Sequence, residues 1–227
     1  MVLFAFVGGL LLFAPFQSLT RADTGTGVGE AVAPKGLDTC DPSDPLIALE
    51  TRVASSIGGQ FLSCFKSEKQ VGTPGAAASP EYAFAIRLAG GGYTTGDLAK
   101  LLATVTNQWR DFQPLSKEFR EDYVARLNAL MNDAGKPSAK FASIEPVLVS
   151  IDRLDAKSYS VVSVRSYVFN QNGQQVGTVK VNADAVVLRG GDFVRLTMQR
   201  VLTDVSDVAA LQTEISAWAR ATESENP

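Results

Sequence analysis

The chain contains no histidine. That absence removes the side chain that most often serves as a general base near neutral pH. It excludes Ser-His-Asp and Cys-His nucleophilic machinery and the transition-metal sites that lean on imidazole. No metal site and no cofactor is expected, and any chemistry falls to carboxylates, lysine, tyrosine or an unpaired cysteine. Runs of basic residues are missing too. The 21 Lys and Arg are scattered among 24 Asp and Glu, so no broad field attracts phosphate and nucleic acid is not an expected partner. No basic cluster marks a helix that would lie on a membrane surface.

Charge is absent altogether between Val2 and Phe16. This apolar run, followed by Gln17, Ser18 and Thr20-Arg21-Ala22, has the form of a secretory core and a small-residue cleavage site. It is shorter than the roughly 20 apolar residues that a membrane span requires. Only Met1 precedes it, where a secretory signal would carry Lys or Arg. The expectation is a signal peptide over residues 1–22 and a periplasmic or secreted product. The alternative is an uncleaved anchor, the one route by which the chain would meet a membrane. Loss of residues 1–22 removes a single base, Arg21, and leaves a net charge of −4.

Cysteine is scarce, with Cys40 and Cys64 the only two. An even count in an exported chain reads as a disulfide. Closing a loop of about 25 residues would stabilise by roughly 3.5 kcal/mol in the chain-entropy treatment. Two cysteines without histidine make no zinc site, and Gly36-Leu-Asp-Thr-Cys40 lacks the small residues of a lipid-attachment box.

The remaining chain, roughly 205 residues, suits one large domain. Residues 23–40 are rich in Gly, Thr, Ala and Pro and read as a flexible leader, because they bury too little apolar area to offset ordering. One domain is expected over 41–222, with a frayed tail at 223–227. Leu46, Leu49 and Val53 predict a short helix that stops near Gly58-Gly59. Phe61–Phe65 and Tyr82–Leu88 read as strands, with a Gly/Ala/Pro-rich loop over Val71–Pro80 between them. Thr94 and Asp97 form a capping-box pattern. Leu98, Leu101, Leu102, Val105 and Trp109 then lie on one helical stripe. A further helix would carry Phe119, Tyr123, Leu127, Leu130 and Met131 and end by Gly135-Lys-Pro137. Gly90-Gly-Gly92 lacks the Gly-Lys-Ser/Thr ending of a phosphate loop and reads as a connection.

Four strands between Glu145 and Leu202 are the most legible part. Asn172-Gly173 and Gly190-Gly191 are favoured two-residue hairpin loops, and Ala156-Lys157 is taken as a third. These loops set the registers. One face then collects Val147, Val149, Ile151, Val162, Val164, Val179, Val181, Ala183, Ala185, Val187, Val194, Leu196, Met198 and Leu202. Ser160, Ser166 and Arg200 are misfits on that face. A final helix, capped by Asp204 and Asp207, carries Val208, Leu211, Ile215 and Trp218 across it. The expected fold is α+β, an antiparallel meander of four to six strands packed on one face by helices, including a C-terminal one.

The same registers align the other face in rows. Asp152, Val161, Asp184 and Thr197 make the first, and Ser150, Ser163, Asn182 and Gln199 the second. Leu148, Arg165, Lys180 and Val201 make the third, with Tyr159, Tyr167 and Phe169 at the margin. Arg165 and Lys180 stand opposite each other, a repulsive pairing unless an anion intervenes. One reading is a recognition surface for a polar or anionic ligand, formed by Arg165, Lys180, Asp152, Asp184, Asn182, Gln199 and Tyr167. Another is an ordinary solvated sheet face. In a third, the helices before Glu145 cover it. Asp152 and Asp184 would lie about 9–10 Å apart at Cβ from strand spacing, near the upper separation of an inverting glycosidase pair.

Three functions follow as expectations. The first is an exported, non-enzymatic binding or accessory protein of the cell envelope, its partner an envelope protein or a polar or anionic ligand. The second is a carboxylate-dependent hydrolase of envelope polysaccharide. The third is an anchored structural subunit.

Overall fold

The computed structural model describes residues 31–67, 82–111, 139–171 and 174–224, with two short helical pieces at 124–125 and 128–129. The expected signal peptide, the loop over Val71–Pro80, the body of the helix after Pro114, the Asn172-Gly173 pair and the last three residues lie outside them.

Seven strands form one antiparallel sheet. They are β1 (Asp38–Thr39), β2 (Gln60–Lys66), β3 (Tyr82–Arg87), β4 (Ala139–Arg153), β5 (Ser158–Gln171), β6 (Gln174–Arg189) and β7 (Asp192–Val201), in the order β1-β2-β3-β7-β6-β5-β4. Three helices accompany it among the described residues: α1 (Pro45–Ser56), α2 (Thr95–Asp111) and α3 (Ser206–Ser224). The fold is α+β, with the C-terminal helix in place.

The hairpin loops behave as their residues dictate. Gly190 and Gly191 have φ of 58° and 85°, the left-handed pair that a tight two-residue turn needs. The β6–β7 ladder accordingly runs from Arg189↔Asp192 to Lys180↔Val201. The β5–β6 ladder starts at Gln171↔Gln174 and reaches Ser158↔Val187. Both registers are those the loops predict.

Successive side chains of these strands enter two different cores. On one face, α3 packs Leu211, Ile215, Trp218 and Ala219 onto Val162, Val181, Ala183, Ala185, Val194 and Leu196. Phe65 meets the Trp218 ring edge-on at 5.9 Å. Arg200, the cation on this face, donates to Glu214 of α3 at 2.9 and 3.1 Å. On the opposite face, α2 packs Leu98, Leu101, Val105 and Trp109 against Tyr159, Val161, Val186 and Phe193, and Ala54 of α1 joins them. Helices therefore take both faces of the sheet.

Local chemistry fixes the helix ends. Asp97 Oδ2 accepts from the Thr94 amide at 3.0 Å and hydroxyl at 2.8 Å, while Thr94 Oγ1 accepts from the Asp97 amide at 3.3 Å. This is the reciprocal capping box expected for α2. Asp204 Oδ1 accepts from the Ser206 amide at 2.8 Å, and Asp207 Oδ2 reaches back to the Asp204 amide at 2.9 Å, starting α3. Gly58, with φ of 72°, terminates α1.

Cys40 and Cys64 form the expected disulfide, with Cα atoms 5.4 Å apart. It joins the segment before α1 to β2. The leader differs from expectation in its described part. Ala31 and Leu37 are buried, and Asp38 and Thr39 pair with β2. Trp218 Nε1 donates to the Val32 carbonyl at 2.7 Å. Small residues left no apolar signal there; one tryptophan and two ladder pairs hold the segment instead. The expected tail also begins later than residue 223, since α3 runs through Ser224.

Strand β4 ends the described sheet. Val147 on it is 64% exposed and Val149 45%. Pro146 and two register shifts interrupt its ladder, features that blunt an edge against further strand pairing.

Candidate functional site

The polar rows of β5, β6 and β7 assemble as their registers require: Val161↔Asp184↔Thr197, Ser163↔Asn182↔Gln199 and Arg165↔Lys180↔Val201. They do not face solvent. Arg165, Lys180, Asn182, Asp184 and Gln199 are each 2% exposed or less, and Tyr167 is buried with them. The solvated-face reading is thus corrected, and so is that of an open recognition surface. Of the helices before Glu145, α2 packs on this side against Tyr159, Val161, Val186 and Phe193, whose apolar area needs a partner, with Ala54 of α1 beside it.

Asp152 does not belong to the group. Near the β4–β5 turn the pairing is Asp152↔Ser160 and Ile151↔Val161, and the register shifts between Leu148 and Ser150. Asp155 causes the first offset. Its carboxylate accepts from the Lys157 amide at 2.7 Å and the Ser158 hydroxyl at 2.8 Å, closing a wider turn than the two-residue loop expected at Ala156-Lys157. A one-residue offset turns every side chain over. Ile151 therefore joins the α2 core, while Asp152 faces α3 and accepts from Gln212 Nε2 at 2.9 Å. Beyond the bulge the parity is restored, so Leu148 does lie on the α2 side. The Asp152–Asp184 pair that hydrolysis would require is split across the sheet.

Asp184 is the centre of what remains. Its Oδ1 accepts from Arg195 Nη2 at 2.7 Å, Arg195 Nε at 3.1 Å and Thr197 Oγ1 at 2.7 Å. Arg165 reaches it from two rows away: Nε donates to Ser163 Oγ at 3.1 Å and Nη2 lies 3.6 Å from Asp184 Oδ2. Buried charges cost several kcal/mol each in desolvation unless such contacts offset it. Arg195 was legible from the register, which places it opposite Val186, one row from Asp184.

Glu50 carried a weaker signal, at i+4 from Leu46 and i−3 from Val53 on α1. It is buried, and burial pushes its carboxyl up to about 8; Arg195 pulls the value down and Asp184 adds to the rise. Burial alone pushes the Lys180 ammonium down to about 7. The Tyr167 hydroxyl is raised by the same cause and lies against Arg165 and Asn182.

Arg165, Arg195, Asp184, Glu50 and Lys180 thus share one enclosed face. That arrangement can hold a polar or charged group. No cluster of three or more metal-ligating side chains occurs among the described residues. Compared with protein-family models, curated proteins and solved structures, the chain matches none.

Proposed function

We propose that this chain is an exported, non-enzymatic binding protein of the cell envelope, and that its ligand is a polar or anionic small molecule. The observation that carries the reading is the enclosed group of Arg165, Lys180, Asn182, Asp184 and Arg195 on one face of the sheet. Perturbed ionisable groups gathered in one place are costly to a fold and mark candidate sites. Export is supported by the uncharged N-terminal stretch and by the closed Cys40–Cys64 pair, which suits an oxidising compartment. Among the described residues, no helix is long and apolar enough to cross a membrane. The separation of Asp152 from Asp184 favours binding over hydrolysis.

Native mass spectrometry of the full chain expressed in an exporting host tests this reading. The expected species lacks residues 1–22, is released with the periplasmic fraction and retains a small polar adduct that denaturation removes. A protein that keeps residues 1–22 in the membrane fraction would support the anchored-subunit alternative. An exported protein without any adduct, in crude or purified form, would overturn the binding reading.

A further inference from the structure

We propose that the enclosed polar face contains an oxyanion subsite centred on Lys180, with the Asn182 amide as its second donor, suited to a carboxylate or phosphate group. The inference rests on the binding reading above and names the chemistry of the group bound.

Arg165 and Lys180 are cross-strand partners, so their stems rise side by side from one row. Their heads part company. The Arg165 guanidinium leans along the sheet to Ser163 and Asp184. Asp184 Oδ1 already accepts three hydrogen bonds, from Arg195 and Thr197. Asp184 Oδ2 makes no hydrogen bond and has the Arg165 guanidinium at 3.6 Å, and the whole carboxylate lies one row beyond Asn182 and two rows from Lys180. Lys180 is 2% exposed, and among the described residues no carboxylate lies within ion-pair distance of it. Asn182 is fully buried in the adjoining row, and neither atom of its amide makes a well-formed hydrogen bond. Buried polar groups of native proteins are nearly always satisfied, so the unsatisfied Asn182 amide, two positions from the buried Lys180 on one strand, points to a missing partner between them. A carboxylate or phosphate oxygen fills that role for both, as a charge-assisted contact in a dry setting.

The test is thermal unfolding of the exported chain in inorganic phosphate or acetate, against chloride at matched ionic strength. Phosphate, acetate or both should raise the melting temperature saturably, by a few degrees at concentrations well above the dissociation constant. Lys180→Met should abolish the rise. Asn182→Asp supplies the missing acceptor from the chain itself, so that variant should melt above the native protein and lose its response. The subsite is overturned if neither anion exceeds chloride, if Lys180→Met retains the response, or if Asn182→Asp melts lower as a second carboxylate crowding Asp184. Should Lys180→Met fail to fold, the native and Asn182→Asp comparison still decides. A neutral adduct without any anion response would sink this subsite and leave the binding reading intact. An anion response without an adduct would keep the subsite as a site of exchangeable anion binding and overturn the reading of a ligand retained through purification.

Discussion

Arg195 of β7 grips Asp184 of β6 through both Nε and Nη2, at 3.1 and 2.7 Å, inside a buried face. Arg165 approaches the same carboxylate at 3.6 Å. Asp184→Asn removes the buried charge that Arg195 grips and Arg165 approaches and should destabilise the fold by about 3–5 kcal/mol. Urea unfolding checks this through the midpoint at constant slope. A loss below about 1 kcal/mol would mean that the pair is solvated in the native protein.

Glu50 and Lys180 give the stability an unusual dependence on pH. Glu50 titrates near 8 in the folded state and near 4.5 unfolded. Between those values the native protein holds the extra proton, so stability falls as pH rises. Lys180 titrates near 7 folded and 10.5 unfolded. Between those values the unfolded chain holds the extra proton, so stability rises with pH. The two slopes oppose each other from about 7 to 8 and leave a minimum there. Urea midpoints from pH 5 to 9.5 should trace this valley. Glu50→Gln should flatten the acid limb apart from a small contribution of Glu223, whose carboxyl is also raised. Lys180→Met should flatten the alkaline limb.

Trp218→Phe deletes the donor to Val32 and keeps an aromatic ring near Phe65. Loss of one such bond, about 1 kcal/mol, should raise the rate of proteolytic cutting around residues 31–37 roughly fivefold under conditions where opening is at equilibrium. Cleavage elsewhere should be unchanged.

Cys40→Ser with Cys64→Ser removes the link between the segment joining β1 to α1 and strand β2. The double variant should lose about 3 kcal/mol, read as an earlier urea midpoint. The oxidised protein treated with reductant should move to the same midpoint.

Glycine pairs and strand alternation made the β5–β6–β7 registers legible, because the turn chemistry at Gly190-Gly191 admits few geometries. The polar residues of the site followed from those registers, with Arg195 one row further. Strand β4 was misread because its bulge residue, Val149, is an ordinary strand former, and the Asp155 turn differs from a tight hairpin by a side-chain contact that leaves no compositional trace. Enclosure of the polar rows was hidden for another reason. Alternation reports how a strand divides its side chains between two faces, whereas covering a face is a matter of where distant helices dock. The apolar stripe of α2 was plain, but its destination against Tyr159, Val161 and Phe193 was not.

Strand β7 lies in the interior of the sheet, hydrogen-bonded on one side to β6 and on the other to β3, where Tyr82 meets Gln199. A nascent chain therefore makes β3 roughly a hundred residues before the strand that will flank it exists, and such distant closures are slow. Until the ribosome has delivered β7, the early third of the protein waits with an open seam along β3.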